Sequence, residues 1–156
     1  MVLDEILAQA TCTAAIDDDC RAKIRPGAIV AAASGNSGGN DREYPAADLL
    51  PGVLAVAAST ETNTLADFST YGSWVQVAAP GDRILSSVPG GGYATWSGTS
   101  MAAPLAAGSA ALLRAASPGL RPAEVVTRII TTAAPMAGLV RRRVDAAAAL
   151  RLSVSK

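Results

Sequence analysis

Ala28-Ile29-Val30-Ala31-Ala32-Ala33-Ser34-Gly35-Asn36-Ser37-Gly38 is an unbroken apolar run followed by a loop of serine, asparagine and glycine. The turn signal Pro26-Gly27 precedes it. A short apolar run bounded by turns suits a strand buried on both faces of a parallel sheet, because a half-exposed strand would alternate apolar with polar. Residues 53 to 58 (Val53-Leu54-Ala55-Val56-Ala57-Ala58) read the same way, and Val75-Gln76-Val77-Ala78 makes a third strand. Ile84 to Val88 and Tyr93 to Trp96, either side of Pro89-Gly90-Gly91-Gly92, read as a hairpin.

Helical patterns fill the remainder. Leu3, Ile6, Leu7, Ala10 and Ala14 stand near helical spacing and predict a helix over residues 3 to 16. The acidic run Asp17-Asp18-Asp19 after it reads as a solvated turn, with a calcium role as the rarer alternative. Met101 to Ala116 is apolar nearly all round, which predicts a core helix buried on every side. Pro118-Gly119 breaks it, and Pro122 stands at the first position of a helix running from Ala123 to Ala134. Val144 to Leu150 is a last short helix. Arg141-Arg142-Arg143 reads as its solvated approach rather than as a binding patch. Strands alternating with helices imply an α/β layered architecture. With 156 residues, one domain over 1–150 with a short tail at 151–156 is expected.

Composition narrows the function. Lys plus Arg equals Asp plus Glu, so nothing points to nucleic acid or an anionic membrane. The longest apolar run, Met101 to Leu113, is shorter than a membrane span and contains Pro104, Gly108 and Ser109. Met1-Val2-Leu3 meets Asp4-Glu5 without the regions of a signal peptide. Cys12 and Cys20 either bridge a short loop or sit as two partly buried thiols. The sequence contains no histidine, so a serine or cysteine activated by histidine cannot be completed from within it. A zinc site with histidine ligands is excluded for the same reason.

Ser97-Gly98-Thr99-Ser100-Met101-Ala102-Ala103-Pro104 places a serine at the mouth of an apolar helix, just after glycine. Backbone N–H groups free at a helix N-terminus favour negative charge. A serine oxygen attacking a carbonyl creates such a charge in the tetrahedral intermediate. On the residues alone, Ser100 as a simple N-cap is the more frequent arrangement. Asn36, within Ser-Gly-Asn-Ser-Gly, likewise reads either as a turn residue or as a non-titrating hydrogen-bond donor.

Gly98-Thr99-Ser100-Met101-Ala102-Ala103-Pro104 resembles the nucleophile motif of the subtilisin-like serine proteases, the subtilases. Residues 31 to 38 resemble that family's oxyanion-hole strand and loop. Tyr44-Pro45 with residues 53 to 58 resembles the next strand, and Asp67-Phe68-Ser69 through Tyr71-Gly72 to Ala79-Pro80-Gly81 resembles the run leading to the nucleophile. Val144-Asp145-Ala146-Ala147 resembles the closing helix. The resemblance covers roughly residues 25 to 150, in the right order. It implies a three-layer, doubly wound, mostly parallel sheet of the subtilisin type, present here in its C-terminal half.

The same resemblance implies roles. Ser100 is the nucleophile, Asn36 the side-chain donor of the oxyanion hole beside the Ser100 backbone N–H, and Thr99 a second support of that oxyanion. Gly35 and Glu43 contact substrate, with Glu43 at the base of the main specificity pocket, where a carboxylate favours Lys or Arg. Tyr44-Pro45 is expected to be cis. Leu105 departs from the family, which often has histidine there, but that residue lies outside the triad.

The family's order is Asp, His, Ser, and its Asp and His segments precede the region found here. The resemblance therefore implies a serine endopeptidase module that is inactive alone. Its partners are a polypeptide substrate and either an N-terminal half bearing Asp and His or further copies of itself. No cofactor or metal is implied by the residues, although subtilases often bind structural calcium. Family habit implies a secreted protein. A subtilase-like pseudoprotease kept for binding is the rival reading; retention of both Ser100 and Asn36 weighs against it. A sedolisin would carry Asp in place of Asn36, and a plain α/β binding domain would not match so many segments.

Overall fold

The computed structural model describes residues 27–151. The expected helix over 3 to 16, the Asp17–Asp19 turn, the two cysteines and the tail beyond 151 lie outside the described residues.

The centre of the fold is strand β2 (Val53–Ser59), all seven residues of which are buried. It pairs in parallel with β1 (Val30–Ala33) on one side and with β3 (Val77–Pro80) on the other. A continuous apolar run is what a strand covered on both faces requires, and the alternation of Cβ directions sorts its residues. Leu54, Val56 and Ala58 pack with residues of helices α1 (Thr99–Ala116) and α2 (Pro122–Thr132) in the main core. Val53 and Ala55 face a separate cluster with Ala46, Ala47 and Trp74, and Ala57 faces Met136 and Val140. Helices thus cover one face. The other is covered by a 3-10 turn (Ala46–Asp48), Trp74 and the loop around residues 136–140. The result is the expected α/β arrangement with a mostly parallel sheet.

The third strand runs over residues 77–80 rather than 75–78. Val75 and Gln76 are set off the ladder because the Gln76 side chain enters it: its Oε1 accepts from Ala55 N at 2.8 Å while Gln76 N donates to Ala55 O. Two further strands, β6 (Ala134–Pro135) and β7 (Arg142–Arg143), extend the sheet past β3 in the order β1-β2-β3-β7-β6. The middle of the basic run is therefore a short parallel neighbour of β3, continued by Val144 N donating to Ala78 O at 2.9 Å. The hairpin forms as expected from β4 (Ile84–Ser87) and β5 (Tyr93–Trp96).

Helix α1 begins two residues earlier than expected, so Ser100 lies inside its first turn. The expectation that this helix is buried on every side is corrected. Thr99, Ala102, Ala103, Ala106, Ala110 and Leu113 are buried, but Leu105 and Leu112 are 43% and 55% exposed. The pattern is apolar on both faces, and the described residues supply a partner for only one. Helix α2 starts at Pro122, with Arg121 as its N-cap; the Glu124 side chain accepts from Arg121 N at 2.7 Å. Helix α3 (Ala146–Arg151) starts late because Asp145 caps it, its Oδ1 accepting from Ala148 N at 2.8 Å.

Candidate active site

The loop after β1 and the first turn of α1 meet beyond the C-terminal edge of the parallel strands. Gly81 permits this meeting. A Cβ there would stand 2.6 Å from the Ala58 Cβ, 2.9 Å from Gly98 O and 3.0 Å from the Ala102 Cβ. With hydrogen in its place, Gly98 N donates to Gly81 O at 2.8 Å and the helix start is pinned to the end of β3.

The first turn of α1 can be followed donor by donor. The first four N–H groups of a helix have no partner within it at the usual spacing. Thr99 N donates to Asn36 Oδ1 at 2.9 Å. Met101 N and Ala102 N both donate to Gly98 O, at 3.0 and 3.4 Å. The Ser100 N–H has no acceptor among the described residues. It lies next to the Ser100 hydroxyl, which is likewise without a hydrogen bond there and is exposed. An unspent backbone donor beside a free hydroxyl, at the positive end of an 18-residue helix, is an arrangement suited to developing negative charge.

Asn36 stands across from this turn. Its Oδ1 accepts from Thr99 N and, at 3.1 Å, from Thr99 Oγ1. With its oxygen held twice, its amide nitrogen remains available to donate outward. A Cβ built on Gly98 would be 3.7 Å from both Asn36 Oδ1 and Ser100 N, so both groups flank one point beside the glycine. The Thr99 hydroxyl gives its only proton to Asn36 and accepts from Gly35 N at 3.2 Å. It touches the Asn36 amide rather than the open space in front of Ser100.

Gly35 has φ +106°, and a Cβ there would fall on the Glu43 carboxylate. The positive φ closes the position to other side chains, and a Cβ there would also push the Glu43 carboxylate aside. Glu43 is half-buried and accepts from Thr70 Oγ1 at 3.0 Å. The adjacent Tyr44–Pro45 peptide is cis, as the resemblance implied. Contacts thus link Glu43 to Gly35, Gly35 to Thr99 and Thr99 to Asn36, with Thr99 buried and Ser100 next to it in the helix.

Thr70 was not legible as part of this site, and it is the hub of the loop. It is fully buried. Thr70 N donates to Gly35 O at 2.9 Å, Thr70 O accepts from Ser34 Oγ at 2.8 Å, and Thr70 Oγ1 accepts from Ser37 N at 3.2 Å. Its presence in the run from Asp67 to Gly72 was the available signal, but a threonine in a polar stretch carries no mark of burial. On the other side of Ser100, a cavity of about 290 Å³ opens between the hairpin and α1. Leu85, Val88, Trp96, Met101 and Leu105 line it with Ser100. Among the described residues no group of histidine, cysteine, aspartate and glutamate is arranged to hold a metal ion, and no helix is long and apolar enough to cross a membrane.

The model of the subtilase family matches residues 7–151. The thermophilic serine proteinase of Bacillus sp. (strain AK1) is 46% identical over 112 residues, covering 72% of this chain and 27% of that protein. Subtilisin BL of Lederbergia lenta is 40% identical over 107 residues, 69% of this chain and 39% of its own length. Among solved structures, a protease from Pseudoalteromonas arctica superimposes with a TM-score of 0.73 at 32% identity, covering 80% of this chain and 42% of that one. The patellamide maturation protease PatA gives 0.72 at 34% identity, covering 80% and 51%. The chain thus spans well under two thirds of these relatives' lengths. With the family's model matched across nearly the whole chain and its sheet reproduced, this protein belongs to the subtilase family.

Proposed function

We infer that this chain is the nucleophile-bearing part of a serine endopeptidase, hydrolysing peptide bonds through an acyl-enzyme on Ser100. The observation that carries the reading is the unspent Ser100 N–H beside the free Ser100 hydroxyl, facing Asn36 whose oxygen is held by Thr99. In the reaction, Ser100 Oγ attacks the scissile carbonyl. The Ser100 N–H and the Asn36 amide receive the oxyanion, and Thr99 keeps Asn36 aimed. Glu43 receives a lysine or arginine side chain of the substrate.

The proton of Ser100 needs an acceptor, and none of the 156 residues is histidine. A serine hydroxyl without a base is a weak nucleophile at neutral pH. The base and its orienting carboxylate come, in this reading, from polypeptide outside these residues, seated against the exposed face of α1 near Leu105. The whole enzyme acts outside the cell, in line with the cell wall-associated protease of Bacillus subtilis, which is 45% identical over 105 residues.

The test is complementation. The chain is mixed with an N-terminal subtilase half carrying Asp and His, and cleavage of a peptide with lysine before the scissile bond is followed. Cleavage that appears only in the mixture, and is lost in Ser100→Ala, is expected. Cleavage that survives Ser100→Ala would refute the reading.

A further inference from the structure

Glu43 is a half-buried carboxylate with no cationic partner among the described residues, and a chain of hydroxyls leads to it. The Thr70 hydroxyl has one proton and two lone pairs. Its proton goes to Glu43 Oε1 at 3.0 Å, since an ionised carboxylate only accepts. Its lone pairs then take Ser37 N at 3.2 Å and Ser37 Oγ at 2.9 Å, which makes Ser37 the donor of that contact. Ser37 Oγ in turn accepts from Gly39 N at 3.3 Å. Every proton in the series points one way: Gly39 N–H to Ser37, Ser37 to Thr70, Thr70 to Glu43. The Thr70 backbone also holds Ser34 and Gly35, so, with Ser37 on its hydroxyl, residues on both sides of Asn36 are anchored on Thr70.

We propose that Thr70, with Ser37 behind it, is a positioning residue for two sites at once: it presents the Glu43 carboxylate to a primary amine or guanidinium of the substrate and fixes the loop that carries Asn36. This rests on the reading of Glu43 as the group that receives a basic side chain. A carboxylate held in one orientation before the ligand arrives loses less freedom on binding it. The hydroxyl relay also satisfies one lone pair of Glu43 and leaves Oε2 to make a charge-assisted bond.

The probe is p-aminobenzamidine, whose fluorescence reports binding without any need for catalysis, titrated into the full chain and into four variants. The unaltered chain binds it, and Glu43→Gln abolishes binding. Thr70→Val, which keeps shape but removes the hydroxyl, weakens binding about tenfold, and Thr70→Ser stays within about twofold of the unaltered chain. Ser37→Ala, an exposed change that leaves the core untouched, weakens it about threefold and supports the relay even where Thr70→Val folds poorly. Unchanged binding in Ser37→Ala and in folded Thr70→Val, with loss in Glu43→Gln, overturns the relay and leaves the Glu43 reading standing. No binding by the unaltered chain, or full binding by Glu43→Gln, overturns that reading and the relay with it.

Discussion

Asn36 and Thr99, 63 residues apart in sequence, are joined twice through one oxygen: Asn36 Oδ1 accepts the Thr99 backbone N–H at 2.9 Å and the Thr99 hydroxyl at 3.1 Å. This pair fastens the loop after β1 to the first turn of α1. Thr99→Val keeps the backbone bond and removes the hydroxyl, leaving Gly35 N without its acceptor in a part-buried place. Chemical denaturation should show a loss of about 1–2 kcal/mol, with Thr99→Ser restoring most of it. Equal stability of the valine and serine variants would contradict the role given to the hydroxyl.

Gly81→Ala should be costly for a different reason. The added methyl meets the Ala58 Cβ, the Gly98 carbonyl oxygen and the Ala102 Cβ, none of which is the far end of a flexible side chain. Overpacking of this kind costs about 1–3 kcal/mol and should also displace Gly98 from Gly81 O. The check is a urea titration together with amide exchange at Gly98. A stable variant with Gly98 still protected would show that the junction of β3 and α1 has room for the methyl, against this reading.

How much of this was open to reading from the sequence differs by element. The central strand was legible because six successive apolar residues, Val53 to Ala58, leave no polar interruption. The third strand was placed two residues early because Gln76 looks like a strand residue, yet its side chain takes an acceptor's place in the ladder. Strands of two residues, such as Arg142–Arg143, have no period to detect. Ser100 and Asn36 were legible only through their motifs, since nothing in composition ties residues so far apart. Thr70 shows the limit: its role arises from burial between three loops, which a single polar letter does not carry.

Helix α2 carries a pH-dependent cap. Hydrogen bonds from the Arg121 side chain and then its backbone N–H hold the Glu124 carboxyl below its ordinary value. A depressed carboxylate contributes stability that is present above the ordinary carboxylate range and lost as pH falls through its lowered value. The pair is exposed, so the effect is small. Glu124→Gln should lower the melting temperature slightly at neutral pH and not at all in strong acid. A difference that grows toward acid would contradict the assignment.

The exposed side of α1 should govern association. Leu105 and Leu112 present apolar surface that nothing among the described residues covers. Light scattering is expected to find the chain self-associated, and Leu105→Lys with Leu112→Lys to return it to monomer. A monodisperse monomer of the unaltered chain would show that this face is already covered.

The central claim is that Ser100 is a nucleophile awaiting a base. The most direct measurement is reaction with a fluorophosphonate probe, with the adduct located by mass spectrometry, in the chain alone and after addition of an N-terminal subtilase half bearing Asp and His. The account predicts negligible modification of Ser100 in the chain alone, rapid modification in the mixture, and none in Ser100→Ala. Modification of Ser100 just as fast in the chain alone would contradict it.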